Sequence, residues 1–179
     1  MKQYASETEK YLHLTTPYCN GSVLDIGSQG HPVVPWAIQL EQPAAQFKHY
    51  CGGLELPRSI HLQGDARDLP FKDGVLDAIY CSHVIEDFDQ NTWPDMFREW
   101  RRCLKVGGYI IVLVPEVTLW NEAIKNGQPP NCSHFAPEPS VGDLTRRFQQ
   151  AGHLKVIKDE LTNVYPGDYS ILGIAQRTR

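Results

Sequence analysis

Apolar positions recur along this chain in two rhythms. Short runs dense in Val, Ile, Leu and aromatic residues fall at 22–26, 36–41, 59–64, 76–82, 108–114, 153–160 and 169–177. Runs of that length, bounded by Gly, Pro and Asn, predict seven β-strands. Between the fourth and fifth the rhythm changes, with Trp93, Met96, Phe97, Trp100, Cys103 and Leu104 spaced three and four apart, Pro94 near the start and Gly107-Gly108 beyond the end. This spacing predicts a helix lying flat on a sheet face, its aromatic residues serving as core. Shorter helices are predicted over 5–14, 43–51 and 141–151, the last with Val141, Leu144 and Phe148 on one side and Gly152 as its stop.

Alternating strands and helices predict an α/β fold: a single doubly wound, mostly parallel seven-stranded sheet with helices on both faces. The last two strands are joined only by 163–168, which includes Pro166-Gly167. That link is too short for a crossover helix and predicts an antiparallel C-terminal strand. The stretch 116–140 contains Pro129, Pro130, Pro137 and Pro139; an irregular loop over the substrate cleft is expected there. One domain over 1–179 is expected, with 1–20 as a short helical cap, since a chain of this length suits one core.

Composition narrows the function classes. The chain is 41% hydrophobic and 21% charged, with a formal net charge of −4, which gives no cationic footprint for nucleic acid. No run approaches the roughly 18 apolar residues of a membrane helix, and the opening Met-Lys-Gln-Tyr-Ala-Ser-Glu-Thr-Glu-Lys has no apolar signal-peptide core. A cytoplasmic protein without nucleic-acid partner or membrane insertion is expected; no oligomeric state is assigned. The cysteines Cys19, Cys51, Cys81, Cys103 and Cys132 are widely spaced with no CxxC pair, so neither a disulfide framework nor a metal cage is expected.

The candidate chemistry sits at the ends of the predicted strands, where parallel α/β sheets bind ligands. Residues 22–30 read Ser-Val-Leu-Asp-Ile-Gly-Ser-Gln-Gly. Gly27 and Gly30 permit a tight turn and close approach of backbone to ligand, and Asp25 is expected to hold the turn or a cationic ligand. Glu41 ends the second strand 16 residues after Asp25, near the spacing at which nucleotide-binding units place a carboxylate on a ribose. Asp65 follows the third strand, where a carboxylate accepts from an adenine amine while the amide of Ala66 or Arg67 donates to a ring nitrogen.

With the Gly-Asp-Ala-Arg-Asp-Leu-Pro-Phe segment at 64–71, the fourth-strand run Leu76 to Glu86 and the Leu104-Lys105-Val106-Gly107-Gly108 segment, the chain resembles class I, seven-stranded S-adenosylmethionine-dependent methyltransferases of the type 11-like group. The likeness runs specifically over about 22–115. It implies S-adenosylmethionine as cofactor and S-adenosylhomocysteine as product. By resemblance, Gly27 and its turn, with Ser28 and Gly30, contact the methionine part, Glu41 the ribose, Asp65 and Ala66 the adenine, and Cys81 with Ser82 the cofactor's edge. Gln29 stands where the family usually has another glycine, His31-Pro32-Val33-Val34-Pro35 replaces a helix, and Asp87 replaces a second histidine. Some relatives acting on surface sugars or cell-envelope precursors have a similarly shortened first loop, and by that resemblance a small-molecule or sugar acceptor is expected. Methyl transfer chiefly needs alignment and exclusion of water; where a hydroxyl must lose its proton, His83 and His134 are the candidate bases. Asp68 and Glu86 are expected as surface or helix-start carboxylates. The competing readings are a catalytically silent cofactor-binding module and a nucleotide-dependent oxidoreductase. The latter predicts a glycine opening a long helix, where this chain has Pro32 and Pro35.

Overall fold

The computed structural model describes residues 6–51, 53–131, 133–135 and 137–179. The chain runs α1 (Glu7–Thr15), β1 (Val23–Ile26), β2 (Ile38–Glu41), α2 (Ala44–Tyr50), β3 (Leu62–Gln63), β4 (Leu76–Ser82), α3 (Trp93–Cys103), β5 (Leu104–Pro115), α4 (Val117–Lys125), α5 (Asp143–Ala151), β6 (Leu154–Leu161) and β7 (Ser170–Arg177). The start of the predicted 5–14 helix, residue 5, lies outside the described residues.

The seven strands form one sheet in the order β3-β2-β1-β4-β5-β7-β6. Pairings among β1 to β5 are parallel, whereas β7 runs antiparallel to both neighbours. Strand order therefore reverses direction at β1, which has β2 on one side and β4 on the other. A crevice opens beyond the carboxyl ends at such a point.

Side chains alternate between two cores, as the pleat requires. On one face Leu24, Ile79, Ile110 and Val112 meet Trp93, Phe97 and Trp100 of α3 and Leu144 and Phe148 of α5. On the other, Val23, Ala78, Tyr80, Ile111 and Leu113 meet Tyr11 of α1. Continuous apolar runs such as 110–114 are thus buried on both sides.

The sequence expectations differ from the structure in three places. The third strand is only two residues long. Gly107-Gly108 lies inside β5 rather than between helix and strand: a Cβ at Gly108 would sit 2.8 Å from the Asp77 carbonyl oxygen, so the close approach of the two chains explains the residue. Within 116–140, expected to be irregular throughout, residues 117–125 form a helix. Glu116 caps it, its Oε2 accepting from the amides of Thr118 at 2.8 Å and Leu119 at 2.9 Å. Pro129 and Pro130 fall just beyond its end, where they cannot interrupt it.

Candidate active site

Beyond the carboxyl ends of β1 to β4 lies a cavity of about 570 Å³. Ile26 and Gly27 form its floor, Leu40 and Glu41 one wall, Gly64, Asp65 and Ala66 another, and His83, Val84, Asp87 and Phe88 the side toward β4. Gly27 has φ +78°, and an added Cβ would come within 2.2 Å of Val84 Cγ2. Both the backbone angle and the space therefore demand glycine. Glu41 is buried, and its Oε1 accepts from the Gln29 amide at 2.7 Å. Burial raises its carboxyl above the ordinary value, opposed by the amides of Gln29 and Gln42.

The 64–71 segment is clamped to α3. Trp100 Nε1 donates to the Ala66 carbonyl at 2.7 Å, Glu99 accepts from the Leu69 amide at 3.0 Å, and Arg102 donates to the Phe71 carbonyl at 2.8 Å. These bonds hold Asp65 and Ala66 at the cavity edge. Asp65 accepts from the Arg67 amide at 2.8 Å and pairs with its guanidinium, which holds its carboxyl below the usual range. Of the two amides expected to face a purine, only that of Ala66 is not held by Asp65.

Five residues expected to touch the cofactor are not in the cavity wall. Asp25 is 1% exposed and its Oδ2 accepts from the Val33 amide at 2.6 Å, so it holds the first loop from behind. Burial pushes its carboxyl up to about 7, with the charge of Glu41 adding to the effect and the Val33 amide opposing it. Ser28 is buried with its Oγ donating to Gln39 at 2.8 Å, and the Gly30 amide donates to Ser28 Oγ at 3.3 Å. Cys81 is fully buried in the sheet core and Ser82 Oγ is buried behind the wall. Asp25, Cys81 and Ser82 are strand residues whose side chains are buried within the fold, while Ser28 and Gly30 lie in the loop after β1, where Ser28 bonds Gln39 and the Gly30 amide.

A second cavity, of about 930 Å³, adjoins the first. His83, Asp87, Asn131 and Ser133 line both. Trp120, His134, Phe135 and Tyr169 supply most of its aromatic surface, with the Trp120 ring 5.0 Å from that of Tyr169 and 5.2 Å from that of His134. His134 Nδ1 lies 3.1 Å from Glu138 Oε1. His83 has φ +53°, an uncommon backbone for a residue with a side chain. It is fixed by its amide donating to the Leu113 carbonyl at 2.8 Å.

Glu86, expected at the surface or at a helix start, lies in the first turn of a short 3-10 helix over Ile85–Asp87, and its side chain is only 1% exposed. Its Oε1 is 3.2 Å from His83 Nδ1 and 3.8 Å from His134 Nε2, within ion-pair reach though without hydrogen-bond geometry. Burial first, and then the charge of Glu86, push the Asp87 carboxyl up to about 6, while His134 and His83 pull it down. Sequence reasoning placed His83 and His134 but missed Glu86, Asp87, Trp120, Glu138 and Tyr169. Val117, Trp120 and Ile124 do recur at helical spacing, a signal overshadowed by the four prolines that follow. Among the described residues, no group of three or more His, Cys, Asp or Glu side chains is arranged to hold a metal ion.

Residues 36–112 match the family described as a methyltransferase domain. That match covers part of the chain, and over nearly its whole length the fold is that of solved S-adenosylmethionine-dependent methyltransferases. The chain shares its fold with an S-adenosylmethionine-dependent methyltransferase and possible histamine N-methyltransferase of Thermotoga maritima: 20% identity and TM-score 0.69, covering 96% of this chain and 89% of that one. It is also similar to methyltransferases of Mesorhizobium loti, with 13% identity, TM-score 0.66 and coverage of 97% and 99%, and of Archaeoglobus fulgidus, with 18%, 0.63, 92% and 90%. No curated protein sequence is a match to the chain.

The first cavity has the chemistry this cofactor requires. It offers a buried carboxylate at β2 able to accept hydrogen bonds, the Ala66 amide as a donor, and apolar surface from Ile26, Leu40 and Val84. The bare backbone at Gly27 leaves room that a Cβ would fill. Glu41, Asp65 and Asp87 also make the lining predominantly acidic, which suits a sulfonium.

Proposed function

We propose that this methyltransferase is a cytoplasmic enzyme, built on a doubly wound sheet, that moves a methyl group to a small-molecule or sugar acceptor by in-line displacement. The observation that carries the reading is the junction of the two cavities at His83 and Asp87. A cofactor at the strand ends and an acceptor beneath Trp120 and Tyr169 then meet where the two cavities join. The described cysteines Cys19, Cys51, Cys81 and Cys103 are all free thiols, as a reducing compartment keeps them. No helix of the described chain is long and apolar enough to cross a membrane, and the net charge of −4 argues against a nucleic-acid acceptor.

Bound S-adenosylmethionine supplies an electrophilic methyl on sulfur whose positive charge disappears on transfer. Glu41 orients the ribose, Asp65 and Ala66 the purine, and Gly27 leaves space for the methionine chain. Asp25, Ser28 and Gly30 support that turn from behind, and Cys81 with Ser82 backs the cavity. With Nδ1–H directed to Glu138, His134 presents Nε2 as the acceptor of the proton that a hydroxyl loses as its oxygen bonds to the methyl. His83 stands at the junction and helps align the reactants.

A screen of small metabolites and sugars with methyl-labelled S-adenosylmethionine tests the reading. The expected result is label in one acceptor class with matching formation of S-adenosylhomocysteine, abolished or strongly reduced in His134→Ala. Cofactor binding without transfer to any acceptor would favour the alternative, a catalytically silent binding module.

A further inference from the structure

His83 is gripped from behind by a chain of hydroxyls that the reaction above does not use. Its Nε2 lies 3.2 Å from Ser170 Oγ, which lies 2.9 Å from the Tyr11 hydroxyl. That hydroxyl donates to Asp168 Oδ1 at 2.8 Å. The chain thus joins the N-terminal helix, the β6–β7 connection and the start of β7 to the junction of the two cavities. Tyr11 and Ser170 are at most 1% exposed.

Counting protons along this chain fixes its direction. The Asp168 carboxylate only accepts: Oδ1 takes the Tyr11 hydroxyl and the Ser170 amide, and Oδ2 takes the Thr162 hydroxyl and the Val164 amide. Tyr11 has one proton, committed to Asp168, so in the Tyr11–Ser170 contact the serine donates. Ser170 also has one proton, so in the Ser170–His83 contact the imidazole donates. Tyr165 fits the same order. Its oxygen accepts from Lys10 Nζ at 3.3 Å, and its proton points to the Tyr11 oxygen 3.3 Å away.

We infer that Tyr11, Ser170 and Asp168 are positioning residues that hold His83 as an Nε2–H donor and confine its proton exchange to Nδ1, on the side of Glu86. Nδ1 is 3.2 Å from Glu86 Oε1. Among the described residues, Asp87 on the same turn and Tyr169 beside β7 also face the ring, and His134, paired with Glu138, approaches the same Glu86 carboxyl. The kinetic consequence rests on the methyltransferase reading: His83 is fixed as a donor, leaving His134 to accept the acceptor's proton.

Nitrogen NMR of the full chain labelled with ¹⁵N-histidine tests the inference without turnover, the His83 signals being assigned by their loss in His83→Gln. The expected result is a proton on Nε2 throughout about pH 5.5 to 8.5, with any titration confined to Nδ1. In Tyr11→Phe the Ser170 proton is released to turn toward the ring, and the Nδ1–H tautomer should appear. A neutral Nδ1–H tautomer in the unaltered protein would overturn the inference, and so would His83 signals in folded Tyr11→Phe that match the parent's. If Tyr11→Phe does not fold, the parent spectrum still decides. Where transfer is measurable, Tyr11→Phe should displace the pH–rate profile and leave the affinity for S-adenosylhomocysteine unchanged. Absence of any methyl transfer would remove the enzymatic reading while leaving the tautomer result intact.

Discussion

Gly27 is the residue at which backbone geometry and function coincide most tightly. Its φ of +78° and the 2.2 Å gap between an added Cβ and Val84 leave no low-cost substitution. Gly27→Ala is expected to lower stability by about 1–3 kcal/mol and to narrow the cavity floor. Denaturant unfolding checks the first effect and titration with S-adenosylhomocysteine the second; unchanged binding in a folded variant would show that the ligand does not use this floor. At the same scale, the sequence showed which residues bear the chemistry but not which way they point. Gly27, Glu41, Asp65 and Ala66 line the cavity, whereas Asp25, two positions from Gly27, faces the opposite core and binds Val33. Spacing along a strand gives its alternation, but only the packed layers decide which face meets a ligand.

At the scale of elements, α3 does more than cover the sheet. Its predicted stripe is buried as expected, yet Trp100 also bonds the Ala66 carbonyl, and Glu99 and Arg102 bond the same segment. Trp100→Phe keeps an aromatic ring in the core but leaves that carbonyl without its donor. A loss of about 1–3 kcal/mol is expected, together with weaker binding of the purine half of the cofactor. Adenosine affinity should fall relative to that of the parent, and unchanged affinity would show that this bond does not position the edge. The helix was legible because its apolar stripe is long. The bond to Ala66 was not, because a tryptophan at a core position gives no sign of where its N–H points. The α4 helix was masked for another reason: proline density over 116–140 spoke for irregularity, while the Glu116 cap that starts the helix is an acid like any other until its amide partners are known.

Across the whole molecule, buried carboxyls give stability a distinctive pH dependence. Asp25 is pushed up to about 7 in the folded protein from an ordinary value of 3.8. The folded state then binds more protons than the unfolded state between these values, so stability should fall as pH rises from about 4 to 7 and level off above. Asp87, pushed up to about 6, acts in the same direction over the lower part of that window. Asp25→Asn keeps an acceptor for Val33 and removes the ionisation, so its melting temperature should decline less over this range. A parent protein that gains stability from pH 4 to 7, or a variant with the same slope, would contradict the assignment. The sheet order and the antiparallel β7 followed from element alternation and one short connection. The second cavity did not, because it is assembled from 120–135 and Tyr169, which are far apart in sequence and bear no shared motif.

Calorimetric titration of S-adenosylhomocysteine into the folded chain tests the central claim most directly. The account predicts saturable binding of one molecule per chain, weakened about tenfold or more by Glu41→Gln, the loss expected when a charged hydrogen-bond acceptor is removed. No binding to the folded protein, or equal binding by Glu41→Gln, would contradict it.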